Sequence, residues 1–321
     1  MSSAGRLLDR PLLADGSLRL AVDPEAEPLV ADWLPRLPYG EPEGEAASRI
    51  VVVAEPGRGG PEPTGAPTLR LGEAAAWVPG AGGAVRLAGL AGGSSGTVRL
   101  EEARAELHAG AGEPERVAWE LYSMLTIAAA LLLGRLGRTL VHAAATVAPD
   151  GAAWLLAGDA RSGKTTTCVN LIGRGWDYVS DDQVVLTHGG DAGGELWAEG
   201  WPRPFHLDEG WEDGQVTGRR RTVDPRALGP GTWRRVAPLA GTLYPQVTGG
   251  ASRLVPIPQA EALALLVRQT PWLLADPSTA PGCLELLVAA ARRPAFRLEL
   301  GPDTYRHTEA LLACLKPLSS P

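Results

Sequence analysis

Residues 158 to 165 read Gly-Asp-Ala-Arg-Ser-Gly-Lys-Thr, a G-x-x-x-x-G-K-[ST] pattern with every position filled. An apolar run, residues 152–157, precedes it and reads as a buried strand. Residues 165–172 follow as a short helix that Gly173 and Gly175 stop. Strand, glycine turn and helix form the context in which this pattern holds phosphate. Glycines let the backbone come close to an anion. The first N–H groups of the helix have no intrahelical partner and point at it. Gly158, Asp159, Ala160, Arg161, Ser162, Gly163, Lys164, Thr165 and Thr166 are therefore the expected nucleotide-binding residues. Lys164 would reach the outer phosphates, and the Thr165 hydroxyl would face Mg²⁺. ATP and Mg are the expected cofactors.

Asp181 and Asp182 stand 17 residues beyond Lys164, at the end of a strand expected over 176–179. A triphosphate site needs one carboxylate for its metal, directly or through water. A second acid is then free to accept a proton from an attacking hydroxyl. The plain alternative is a polar turn between strands. His142 is the polar residue of a small apolar strand, residues 140–148, just upstream of the loop. It reads either as a satisfied core histidine or as the partner that orients one of these acids.

The elements around these residues sort the chain into two parts. Residues 1–110 read as short strands parted by Gly/Pro turns, with candidates at 17–22, 50–54, 68–71, 84–87 and 97–107 and a hint of helix at 30–37. This β-rich region carries no chemical motif, and substrate recognition is its expected task. Residues 111–321 read as the phosphate-binding domain. A long apolar helix at 113–137 opens it, and Glu120 interrupts that run. Its length is marginal for a bilayer, and it reads as a core helix rather than a membrane span. Pro149-Asp150-Gly151 is a strong turn and predicts a hairpin leading into the loop. Residues 189–235 read as irregular. They hold Arg219, Arg220, Arg221, Arg226, Arg234 and Arg235, and Arg203 lies upstream. Such arginines suit transition-state charge, an acidic peptide or a solvated loop. Trp197, Trp201 and Trp211 read as core or as a groove. Strands or extended segments are expected at 241–245, 254–258 and 296–300, and helices at 260–269, 284–291 and 303–315.

His142 in Val-His-Ala-Ala-Ala, the loop from Gly158 to Thr165, and Ser180-Asp181-Asp182-Gln183-Val184 together resemble the core of the HPr kinase/phosphorylase family and its kinase-like relatives. Those relatives include kinases of a C-terminal serine on lasso-peptide precursors. The resemblance is strong over 138–188 and extends weakly to the helix at 260. It implies an α/β fold: a P-loop kinase core akin to the HPr kinase C-terminal half and the nucleotide site of phosphoenolpyruvate carboxykinase. It also implies ATP- and Mg-dependent transfer to a Ser or Thr hydroxyl. By match, Lys164 contacts phosphates and Thr165 the metal. One of the paired acids is the base and the other supports the metal or His142, with Asp181 assigned as base and Asp182 as metal carboxylate. Residues 197–202, Trp-Ala-Glu-Gly-Trp-Pro, stand where HPr kinases proper carry a Glu-Ile-Arg-Gly-Leu-Gly-type segment. Glu199 is the residue there that would support the metal. The departure sets this chain apart from HPr kinase proper, so neither HPr as acceptor nor the reverse phosphorylase reaction is expected.

A peptide or small protein is the expected acceptor. A small-molecule hydroxyl on the same scaffold, or a nucleotide-binding regulator without transfer, remains open, as does an oligomer. The net charge of −7 argues against nucleic acid. Cys168, Cys283 and Cys314 are too few and too far apart for a disulfide framework. With no signal-peptide core after Met1, they point to the cytoplasm.

Overall fold

Short alternating runs such as Leu18-Arg19-Leu20 bury every second residue, and eight of them assemble one sheet. The computed structural model describes residues 7–31, 46–54, 65–79, 83–189, 194–200, 205–212, 215–223, 227–229, 231–306 and 308–318. It is a mixed α/β structure rich in strands, and it divides into two compact units.

Unit 1 comprises residues 1–139 and 271–283. Its elements are β1 (Leu8–Pro11), β2 (Leu18–Val22), α1 (Glu27–Val30), β3 (Ser48–Val53), β4 (Leu69–Leu71), β5 (Ala74–Trp77), β6 (Val85–Gly89), β7 (Ser95–Arg99), β8 (Arg104–His108) and α2 (Pro114–Arg135). The sheet order is β1-β2-β3-β8-β7-β6-β5-β4. The segment 97–107 is two strands and a turn, and β1 and β5 lacked a sequence signal. The described helix at α1 precedes the stretch expected at 30–37, most of which lies outside the described residues.

The long helix α2 explains why the chain divides near 139 rather than at 110. It lies on β3, β4, β5, β6 and β8 and buries nearly its whole apolar length there. Among the described residues it alone is long and apolar enough to cross a membrane, and 78% of that stretch is buried. Gly96 permits the approach of helix to sheet: a Cβ there would lie 2.9 Å from Met124 Cε. Gly137, at φ +69°, ends the helix, with the N–H of Arg138 bonded to Leu133 O and that of Gly137 to Gly134 O. Glu120 is fully buried. Its carboxylate accepts the N–H groups of Ala91 (2.6 Å), Gly92 and Ser94 (3.0 Å). Burial pushes this carboxyl up, but the three donors outweigh it and hold it below the usual glutamate value.

Unit 2 comprises residues 140–270 and 284–321. In chain order come β9 (Thr139–Val141), β10 (Ala143–Val147), β11 (Ala153–Ala157), α3 (Lys164–Ile172), β12 (Asp177–Ser180), β13 (Val184–Gly189) and β14 (Glu195–Glu199). Then follow β15 (Phe205–Glu212), β16 (Gln215–Val223), β17 (Val236–Val247), β18 (Arg253–Pro256), α4 (Gln259–Arg268), α5 (Ala280–Ala291), β19 (Ala295–Leu300), α6 (Pro302–Arg306) and α7 (Thr308–Leu315). The sheet runs β12-β10-β11-β17-β14-β13-β9, with β19 also on β17 and β18 on β19. Long β17 is parallel to both β11 and β19. Trp154, Leu156, Leu171, Tyr178, Phe205 and Leu243 pack the core beside α3.

Two expectations change here. The strand expected over 140–148 breaks at His142 into β9 and β10, because the His142 N–H bonds Gln269 O at 2.9 Å instead of staying in the ladder. The region 189–235 is not irregular: it supplies β14 and the hairpin β15–β16. Backbone register in that hairpin sets Arg220 opposite Asp208 and Arg219 opposite Glu209. Arg203, Trp201 and Arg226 lie outside the described residues.

Candidate nucleotide-phosphate site

Register brings the site together. Ala148 N–H bonds Ala152 O across the Pro149-Asp150-Gly151 turn, so β10 and β11 are an antiparallel hairpin. Ala143 pairs with Ala157, which sets His142 beside the start of the glycine loop. Ala145 of the same strand pairs with Ser180, the last residue of β12. Both β11 and β12 run opposite to β10, so their C-terminal ends share one edge. The loop from Gly158 and the acids after Ser180 emerge there side by side. Ligands favour the carboxyl ends of strands in such sheets.

The loop has the shape of an anion cradle. Gly163 is the residue before α3, with φ +105°, and no side chain caps the helix. Its first N–H groups therefore stay available for an anion. Arg161 takes a positive φ of 64°, which only one other described non-glycine residue does. A run of such conformations turns successive N–H groups to one side. A Cβ on Gly158 would lie 2.9 Å from Ser162 Oγ, and one on Gly163 2.7 Å from Leu300 Cδ1. Ser162 Oγ is buried with no protein hydrogen-bond partner. An orphaned hydroxyl inside a curl of N–H groups fits phosphate oxygens. Thr165 is half-buried, while Ala160 and Thr166 are exposed on the turn.

Lys164 is buried and donates to Gly158 O at 2.6 Å and Asp159 O at 3.0 Å. Burial pushes its ammonium down, against the opposing pull of Asp182, Asp181 and Asp159. All three acids therefore bear on this one cation.

His142 Nε2 lies 3.0 Å from Asp182 Oδ1, and both side chains are about one third exposed (36% and 33%). Asp181 is buried. Its charge adds to the burial that pushes the Cys168 thiol well up, so Cys168 is an inert core residue. The N–H of Gln183 bonds Ser180 Oγ across the acid turn at 3.4 Å. Glu199 is buried at the end of β14. A Cβ on the next residue, Gly200, would lie 2.8 Å from Ser180 Cβ, so this strand end meets the acid turn closely.

Among the described residues, no three His, Cys, Asp or Glu side chains gather as a metal set. Mg²⁺ beside a triphosphate does not need one, since it keeps waters and takes one or two carboxylates plus phosphate oxygens. Thr165 and Asp182 are the residues that would hold it, and Glu199 lies one residue from the contact with the acid turn.

Two residues of the site carried no sequence signal. Arg268 Nη2 lies 2.9 Å from Asp159 Oδ2, and Gln269 Nε2 donates to Asp159 Oδ1 at 3.1 Å. They sit at the end of α4, far along the chain from the loop, and nothing local marks them. Arg234, one of the arginines in the basic run, holds Asp177 at 2.6 Å together with the Thr232 N–H. That arginine is structural. Trp197 covers Gly189 on the neighbouring strand, where a Cβ would lie 2.1 Å from its Nε1.

No family model and no curated protein matches this chain. Among solved structures it is similar to the HPr(Ser) kinase/phosphatase from Coxiella burnetii. The match has 14% identity, covers 56% of this chain and 97% of that one, and has a TM-score of 0.31. A likeness at that level carries no argument, so the functional reading rests on the residues and geometry above.

Proposed function

We propose that this protein is an ATP- and Mg-dependent kinase that transfers the γ-phosphoryl to a hydroxyl, a Ser or Thr of a peptide or small protein. One observation carries the reading: a glycine cradle and paired acids meet at one sheet edge, with Lys164 buried in the field of both acids. A site that only bound nucleotide would need one acid for the metal. The second acid, and a histidine bonded to its neighbour, suit proton transfer from an acceptor.

These positions support the following roles. The α3 N-terminus and Lys164 hold phosphates, and Lys164 leaves the loop carbonyls for phosphate oxygens as the triphosphate enters. Magnesium supplies charge neutralisation at the phosphates. Thr165 and Asp182 would hold it, Asp182 being the more exposed of the two acids and the one bonded to His142. His142 fixes the orientation of Asp182. Asp181 remains as the base toward the acceptor hydroxyl.

Incubating the protein with Mg²⁺, γ-labelled ATP and the peptides and small proteins encoded beside its gene tests this, with product read by mass. A labelled Ser or Thr is expected. Asp181→Asn should lower transfer by about 10²- to 10⁴-fold, the usual worth of a general base, and leave ATP binding intact. Full transfer by that variant would remove Asp181 from the base role. ATP binding without transfer to any acceptor would overturn the kinase reading in favour of a nucleotide-binding regulator.

A further inference from the structure

Asp159 is at odds with the loop that contains it. Every other feature of the cradle favours an anion, and Asp159 brings a negative charge to it. The end of α4 answers that charge. Arg268 pairs with one carboxylate oxygen at 2.9 Å, and the Gln269 amide donates to the other at 3.1 Å. Gln269 also accepts the His142 N–H on its backbone oxygen at 2.9 Å. One helix end thus holds both the acid of the loop and the strand break that carries His142. Gln269 is buried, so this anchor is fixed.

We infer that Arg268 is a positioning residue of the phosphate site: it acts through Asp159, neutralising the carboxylate and tying it to α4 so that the cradle accepts a polyanion. The inference rests on the loop taking nucleotide phosphates. The ion pair is well exposed, at 63% for Arg268 and 68% for Asp159. Exposed pairs add little to folding stability. This one gains weight only when several negative charges arrive a few ångströms away. One uncompensated charge at that distance in a water-like dielectric corresponds to about a five- to tenfold loss of affinity.

The test is calorimetric binding of ATP and of ADP, each with Mg²⁺, to the full chain and three variants. Arg268→Ala should bind both nucleotides about five- to tenfold more weakly, with its thermal midpoint unchanged. Arg268→Lys should keep most of the affinity, because it keeps the charge. Asp159→Asn combined with Arg268→Ala should return affinity to near the original value. The Arg268→Ala deficit should also shrink as salt is raised. Unchanged affinity in Arg268→Ala, or a double variant as weak as the single one, overturns the inference. A loss seen with ATP but not ADP would put Arg268 on the outer phosphate itself and overturn the indirect role. A chain that binds neither nucleotide overturns the phosphate site and this inference with it. Normal binding with an unaffected Arg268→Ala overturns the inference alone.

Discussion

In unit 1, the turn from Ala91 to Ser94 wraps three backbone N–H groups around the Glu120 carboxylate. In unit 2, the turn from Gly158 to Gly163 ends on a helix whose first N–H groups meet no side-chain cap. Both turns use glycine for close approach. A Cβ on Gly89 would lie 2.1 Å from Glu120 Cδ, and one on Gly92 2.8 Å from Glu120 Oε2. In unit 2 the group that a Cβ on Gly158 would meet is the orphaned hydroxyl of Ser162. The same backbone device is therefore used twice. Unit 1 supplies its own anion from α2 and closes the device as a structural staple. Among the described residues of unit 2 no acid caps this turn, and its own loop carboxylate, Asp159, is drawn off to Arg268 and Gln269. An anion nest filled from within holds a fold together, whereas the uncapped start of α3 supports the proposed phosphate site.

Substitutions on either side should break this contrast in different ways. Lys164→Ala should lower phosphoryl transfer by about 10²- to 10³-fold, the cost of losing one donor to developing charge, with little change in thermal stability. A steady-state assay alongside a melting curve checks both halves. Glu120→Gln should do the reverse. It keeps the shape but removes the charge and turns an NH₂ toward backbone N–H groups. About 2–3 kcal/mol of unit 1 stability should go, visible in a denaturant titration, while nucleotide binding stays. Gly163→Ala forces a side chain onto a left-handed residue at φ +105° and should cost about 1 kcal/mol. A few-fold weaker nucleotide affinity should accompany it.

The smallest effect is on acid stability, where two carboxylates, one in each unit, should act in different pH ranges. Glu120 is held below its usual value of 4.5, so its stabilising share is complete above 4.5 and is lost as pH falls through the lowered value. In unit 2, burial raises Asp177, but the Thr232 N–H and then Arg234 outweigh it and hold it below 3.8. Its share is complete above 3.8 and is lost at still lower pH. Glu120→Gln should remove the pH dependence of unit 1 stability just below 4.5, and Asp177→Asn should act on unit 2 only below 3.8. Hydrogen exchange resolved by region reads this directly.

Local signals in the sequence account for much of the candidate site. The strand, loop and helix from Ala153 to Ile172 are legible because the motif and its flanks are contiguous. The Pro149-Asp150-Gly151 turn is legible because its residues suit only a tight reversal. The hairpin it forms then puts His142 next to the loop. What stayed hidden was settled by distant partners. The break at His142 depends on Gln269 O, and Arg268 acquires meaning only beside Asp159. Glu120 looks like a flaw in an apolar helix until the N–H groups of another segment close on it. The boundary near 139 follows from the sheet that α2 covers, which its own composition does not name. The β15–β16 hairpin carries mostly polar residues in both strands, so no apolar alternation announced it.

Calorimetric titration of the full chain with Mg-ATP, beside Lys164→Ala, tests the central claim that the unit 2 nest is built for an external polyanion. One saturable site is predicted, with affinity reduced at least about tenfold in the variant. A chain that binds neither ATP nor ADP, or a Lys164→Ala variant that binds as well as the original, would contradict it.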